Sequence, residues 1–301
     1  MAQVRANGIT IEYEEHGDRD GEPLLLIMGL GAQLVRWPMA MVEGLVARGY
    51  RVIRFDNRDV GLSTKFDSAG VPSIVWTAMQ KRFGLAPAVP YTLRDMAQDA
   101  VGLLDALGIA AAHVVGASMG GMIAQLMAAR WPERVLTLTS IMSTTGHPAA
   151  SRPTMRASAV LLRHPRSDDV EAIVAHGTAA ARVVGGHFPM DDAFMAERIR
   201  SETLRNRCPA GFARQMCAII AAGDRTDLLR RITAPTLVIH GREDPLVPVE
   251  GGRRTARAIP GARLLEIEGM GHTLPPQVIP RIVAAIDGLV RNGPDVAAQA
   301  A

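Results

Sequence analysis

Continuous apolar runs that alternate with helical stretches constrain this chain more than any other feature. Residues 112–116 (AHVVG) and 235–241 (PTLVIHG) read as strands, and residues 23–29 (PLLLIMG) form a continuous run with no polar face to offer to water. Such a run reads as a strand covered on both sides. Residues 51–58, 135–141 and 262–269 read as further strands. Helical periodicity lies between them. It is clearest where Thr92 opens a helix with Asp95 as its capping-box partner and Leu93, Met96, Ala100, Leu103, Leu104 and Leu107 recur on one face. Residues 39–50, 121–131 and 251–261 read as helices, as does a final amphipathic stretch marked by Val278, Ile279, Ile282, Val283, Ile286, Leu289 and Val290. This alternation predicts an α/β fold: a mostly parallel central sheet with helices on both faces. An Asn7-Gly8 turn between alternating residues predicts an antiparallel hairpin at one edge. Residues 61–90 are rich in turn formers and yield no element.

Between residues 146 and 232 the pattern changes to helical periodicity with no strand. The chain therefore divides into a core (1–145), an all-helical cap (146–232) and the remainder of the core (233–301). The cap should lie over the carboxyl edge of the sheet, where open α/β sheets bind ligands.

The chemistry is concentrated in GASMGG, residues 116–121. Glycine weakens strands and helices alike, so three of them around one serine mark a backbone that side chains would obstruct. Gly116-x-Ser118-x-Gly120 has the spacing of a nucleophile elbow, which lifts a serine hydroxyl above a sheet. A hydroxyl attacks only with a base beside it, and histidine suits that task near neutral pH. Of eight histidines, His113 and His240 belong to core strands, His16 to the hairpin, and His147, His164, His176 and His187 to the insertion. His272 instead sits in a glycine-flanked loop after a core strand, and it is the candidate base. Asp244, in the turn after residues 235–241, is preferred to its neighbour Glu243 as the carboxylate that orients it. The order Ser118, Asp244, His272 completes a Ser-His-Asp set. Two backbone amides complete an oxyanion hole: Met119, next to the serine, and Leu30 in the Gly29-Leu30-Gly31 turn.

Around these loops stand Met28, Gly29, Trp37, Met122 and Met270, candidates for a soft apolar pocket. The methionines serve equally well as packing in a chain that has fifteen, and Trp37 either walls the pocket or anchors the helix that follows it. A pocket poor in aromatic residues favours short acyl chains.

Other classes of function find no support. Two cysteines, Cys208 and Cys217, match no metal spacing, and no cluster of ligands or cofactor motif appears, so neither metal nor cofactor is expected. Net charge is +3, yet no basic run exceeds two residues, which argues against a nucleic-acid partner. No apolar run is long enough to span a bilayer, and the amino end lacks a secretory h-region. The expectation is a soluble cytoplasmic protein with no membrane partner, acting on a small molecule.

With these parts assembled, the chain resembles the α/β-hydrolase superfamily over nearly its whole length. It looks most like small bacterial esterases with a helical cap, including the aclacinomycin methylesterase type. The residues that carry the likeness are 28–31 (MGLG), 54–63 (RFDNRDVGLS), GASMGG, 241–248 (GREDPLVP) and 269–275 (GMGHTLP). Met28 stands where many relatives have histidine, as in methylesterase-like members. The resemblance implies a scaffold ion pair between Asp56 and Arg58. A serine at the elbow implies acyl transfer rather than the aspartate chemistry of dehalogenases and epoxide hydrolases. The leading reading is a serine carboxylesterase for small or medium apolar esters. The alternatives are a carbon–carbon hydrolase of β-diketone-type substrates with the same triad, a perhydrolase side activity, and a ligand receptor built on this fold.

Overall fold

In the computed structural model, residues 1–150, 152–163, 165–189 and 191–293 are described. His164 and the end of the predicted second core segment, 294–301, lie outside them. Eight strands form one sheet: β1 (Ala2–Ala6), β2 (Ile9–His16), β3 (Glu22–Ile27), β4 (Tyr50–Phe55), β5 (Ala112–Ala117), β6 (Val135–Ile141), β7 (Thr236–Gly241) and β8 (Arg263–Ile267). Their spatial order is β1-β2-β4-β3-β5-β6-β7-β8. The predicted hairpin makes the edge, with β1–β2 and β2–β4 antiparallel. All other pairs are parallel. The chain reverses direction across the sheet between β3 and β5, since β4 lies on one side of β3 and β5 on the other. That switch point opens a crevice at the carboxyl ends of the strands.

Each apolar run supplies two cores because side chains alternate across a strand. Leu25 and Ile27 of β3 pack on one face with α3 (Leu93–Ala106) and α4 (Met119–Arg130). Leu24 and Leu26 pack on the other with α1 (Met39–Val46) and α11 (Ile279–Asn292). Helix α3 has the expected capping box: Thr92 N–H donates to Asp95 Oδ2 (2.7 Å) and Asp95 N–H to Thr92 Oγ1 (3.3 Å). Helix α4 begins two residues earlier than predicted, directly after Ser118. Residues 61–90 contain a helix that the sequence did not announce, α2 (Ile74–Arg82).

Between β6 and β7 the described residues hold five helices and no strand: α5 (Met155–Leu162), α6 (Val170–Val184), α7 (Asp192–Arg205), α8 (Pro209–Ala222) and α9 (Thr226–Leu229). Leu229 of α9 is buried in the α3/α4 core. Helix α10 (Val249–Ala258) precedes β8. Among the described residues no helix is long and apolar enough to cross a membrane.

Candidate active site

Strand β5 delivers the chain to Ser118, whose backbone is at φ 56°, ψ −119°. A non-glycine residue there costs on the order of 1–3 kcal/mol and persists only when its surroundings enforce it. They do so here. Ser118 N–H donates to Ile141 O (2.9 Å), while Ser118 O accepts from Met122 N–H (3.2 Å) and from Ser143 Oγ–H (2.8 Å). The flanking glycines are required by close approach. A Cβ on Gly116 would overlap the Gly120 carbonyl, and one on Gly120 would overlap the Ile27 carbonyl at the end of β3. One on Gly121 would sit 2.6 Å from Ser143 Cβ.

Two further strand ends complete the cluster. His272 follows β8, and its Nε2 lies 2.9 Å from Ser118 Oγ. Its Nδ1 lies 2.7 Å from Asp244 Oδ2, in the turn after β7. A carboxylate can only accept, so Nδ1 carries the proton and Nε2 is left to accept from Ser118 Oγ–H. The buried Asp244 is fixed in turn: its Oδ1 accepts from Leu246 N–H (2.9 Å) and Val247 N–H (2.8 Å). Glu243, the other carboxylate of the turn, makes no hydrogen bond to His272; its backbone N–H donates to Met270 O (3.2 Å). The histidine loop is tied to the end of α6, because His272 N–H donates to Val184 O (2.6 Å) and Gly271 N–H to Gly185 O (3.2 Å).

The loop after β3 approaches the serine from the other side. A Cβ on Gly29 would come within 3.1 Å of Ser118 Cβ. Asn57 Nδ2–H holds Met28 O (2.9 Å), and Gly31 N–H donates to Gln215 Oε1 of α8 (2.8 Å). Gln215 Nε2–H in turn donates to Arg58 O (2.8 Å). Neither Leu30 N–H nor Met119 N–H is spent on a backbone acceptor among the described residues. Met119 is the first residue of α4, so its amide lies at the positive end of the helix dipole.

A strained serine with a histidine and a buried carboxylate in relay, beside two unspent amides at a topological switch point, is an arrangement for acyl transfer. A family model described as the alpha/beta hydrolase fold matches residues 22–276. The chain belongs to that family. It is an enzyme of the α/β-hydrolase class. Among its relatives is the rhodomycin D methylesterase DauP of Streptomyces sp. (strain C5), 33% identical over 304 aligned positions covering 94% of this chain and 95% of the relative. Among solved structures, a thermophilic esterase from Thermogutta terrifontis is 27% identical, with TM-score 0.68 and coverage of 97% and 98%. The meta-cleavage product hydrolase CumD of Pseudomonas fluorescens IP01 has TM-score 0.72 at 22% identity, covering 95% of this chain and 96% of its own. That likeness is one of fold.

The remaining candidates of this hydrolase divide between the two cores. Met28, Trp37 and Met270 are buried together on the α1/α11 face; Met119 and Met122 are buried on the α3/α4 face. Among the described residues no group of three or more His, Cys, Asp and Glu could hold a metal ion. The pairing of Asp56 with Arg58 is corrected. Asp56 pairs with Arg205 of α7 (2.7 Å) and accepts from Leu34 N–H (2.7 Å), whereas Arg58 forms a bidentate pair with Asp99 of α3 (2.6 and 2.7 Å). The two side chains thus tie the turn to different elements, Asp56 to α7 and Arg58 to α3.

Sequence reasoning also passed over Asp59. This buried carboxylate accepts from Arg214 Nε–H (2.7 Å), Arg214 Nη2–H (2.8 Å), Tyr91 O–H (2.7 Å) and Phe66 N–H (2.8 Å). Burial pushes its pKa up, but these hydrogen bonds together outweigh burial and hold it below the usual carboxylate value. His240, structural by its place in a core strand, lies beside the candidate carboxylate. Its Nε2–H donates to Val247 O (2.8 Å) and stands 3.6 Å from Asp244 Oδ2. Burial lowers its pKa, so the ring is neutral.

Proposed function

We propose that the chain is a serine carboxylesterase acting on small or medium apolar esters, with α5–α8 as a cap over the catalytic loops. The observation that carries this reading is the relay of 2.9 and 2.7 Å from Ser118 Oγ through His272 to Asp244. Ser118 Oγ attacks the ester carbonyl as His272 Nε2 takes its proton. The negative charge on the tetrahedral oxygen falls to the amides of Leu30 and Met119. Asp244 stabilises the imidazolium, which then gives its proton to the departing alcohol. A water molecule, deprotonated by the same nitrogen, releases the acid and restores the serine. The methylesterase relative supports a methyl ester as the bond cleaved.

The test is hydrolysis of p-nitrophenyl acetate and butyrate by wild type and Ser118→Ala, without added metal. Turnover that falls by about 10⁴-fold or more in the variant is the expected result. Wild-type rates in the variant would remove Ser118 from the role. A folded wild type inert towards both esters would sink the simple-ester reading and send the search to β-diketone cleavage.

A further inference from the structure

Helix α2 leaves large apolar residues exposed to solvent. Its ends are well made: Ser73 Oγ accepts from Trp76 N–H (3.2 Å), and Gly84, at φ 75°, closes the last turn with Gly84 N–H to Lys81 O (3.1 Å) and Leu85 N–H to Gln80 O (2.9 Å). Its inward side is mixed, with Ile74 and Gln80 half-buried. Thr77 is buried, donating to Ser73 O (2.9 Å) with Cys217 Sγ of α8 at 3.3 Å, and Lys81 Nζ donates to Ala221 O (3.0 Å). The outward face is apolar. Val75, Met79 and Phe83 follow one another at four-residue spacing, with Trp76 beside them, and they are 69%, 45%, 73% and 59% exposed. Val71 and Leu85 extend the exposed patch at either end. Single exposed apolar residues are ordinary, but a contiguous patch of this kind marks a surface with an occupant.

Charge selects the occupant. From residue 68 to residue 94 the chain has no Asp or Glu, and its cations there are Lys81, Arg82 and Arg94, all exposed. A second copy docked by a two-fold axis would set this surface against itself and bring Arg82 near its own image with no carboxylate from this segment between them. An anionic bilayer instead accepts both features, since aromatic and aliphatic side chains enter the headgroup boundary while cations meet lipid phosphates. We propose that residues 71–85 form a peripheral docking surface for anionic lipid, with Val75, Trp76, Met79 and Phe83 inserted and Arg82 at the phosphates. The surface departs from the expectation of no membrane partner and involves no spanning segment. It lies on the outer side of α2, which packs on α8, the helix whose Gln215 braces the Gly31 loop. Docking there holds the candidate site at the phase into which apolar esters partition.

The experiment is flotation of the full chain with vesicles of phosphatidylcholine alone and of phosphatidylcholine with phosphatidylglycerol. Its readout needs no turnover, so it stands or falls separately from the esterase reading. The wild type should float with the anionic vesicles, and its tryptophan emission should shift to the blue. A Trp76→Ser/Phe83→Ser double variant should lose about tenfold or more of that binding. Arg82→Glu should lose about fivefold or more on anionic vesicles only. Circular dichroism and thermal unfolding establish that both variants are folded. Failure of the wild type to float, flotation undiminished in the double variant, or equal binding to both vesicle types would overturn the proposal. A wild-type dimer in sedimentation equilibrium that the double variant abolishes, with no flotation, would assign the patch to a second copy instead.

Discussion

The carboxyl edge of the sheet, with the candidate site, and the helices between β6 and β7 are held in place by different combinations of forces. At the edge, hydrocarbon and close backbone approach set the geometry: Leu25 and Ile27 fill one core, Leu24 and Leu26 the other, and Gly116 and Gly120 let β3, β5 and α4 meet without intervening side chains. The inserted helices send Ala218 and Leu229 into the α3/α4 core and add ion pairs to it. Glu202 of α7 takes Arg36, Arg205 takes Asp56, and Arg214 of α8 takes Asp59. Gln33 Nε2–H adds a bond to Glu202 O (2.6 Å). Close packing responds little to pH or salt, whereas a buried ion pair fixes which surfaces meet and fails badly when one partner is lost. Chemistry and docking of the insertion should therefore be separable by mutation.

The largest effect should come from Asp244→Asn, which tests the edge alone. Asparagine still offers an Oδ1 to Leu246 and Val247 but presents an amide to His272, which forces the wrong tautomer. On the esterase reading kcat falls by about 10⁴-fold, with the unfolding midpoint nearly unchanged. A loss of activity matched by a loss of folded protein would show that the edge and its chemistry are not separable.

Arg214→Met tests the other half of the comparison. It leaves Asp59 buried and unpaired, so denaturant unfolding should show a loss of about 3–5 kcal/mol at neutral pH. The carboxylate pKa is depressed in the folded chain, so the stability it supplies is complete above the usual aspartate value of 3.8 and is lost as pH falls through the lower folded value. The gap between wild type and variant should accordingly narrow in strong acid. A gap independent of pH would mean that Arg214 acts by packing rather than charge.

The core and the candidate triad were legible because each rests on local signals: a continuous apolar run, a glycine cluster, and loops that directly follow strands. The docking of the insertion was not, because its partners are far apart in sequence. Nothing in RFDNRDVGLS indicates that Asp56 belongs to Arg205, Arg58 to Asp99 and Asp59 to Arg214. Helix α2 was missed for a different reason: its apolar residues form no single stripe, since Ile74 is half-buried while Val75, Trp76 and Met79 are exposed. Ser73 and Gly84 were the usable signals, a cap and a stop with nine residues of helix between them.

The smallest predicted effect concerns His240, where edge chemistry depends on a residue that touches neither serine nor substrate. The ring donates to Val247 O, and the amide of that same Val247 donates to Asp244 Oδ1, so the imidazole closes the turn that aims the carboxylate. Its Nδ1 is buried without a partner against Gly252 of α10, and protonation there would find no acceptor. His240→Leu should lower kcat by about tenfold with KM unchanged, as expected for a misaimed relay. His240→Gln, which keeps an N–H donor, should recover part of that loss. Stability supplies an independent readout. A buried histidine with a lowered pKa stays neutral in the folded chain while the unfolded chain takes up a proton below the usual value of 6.5, so wild-type stability declines as pH falls through that point. The leucine variant lacks this proton uptake, and its stability should fall less steeply over the same interval. Equal kcat in the leucine and glutamine variants would show that the Val247 hydrogen bond does not hold the relay. An unchanged slope of stability with pH would show that the ring is not held neutral.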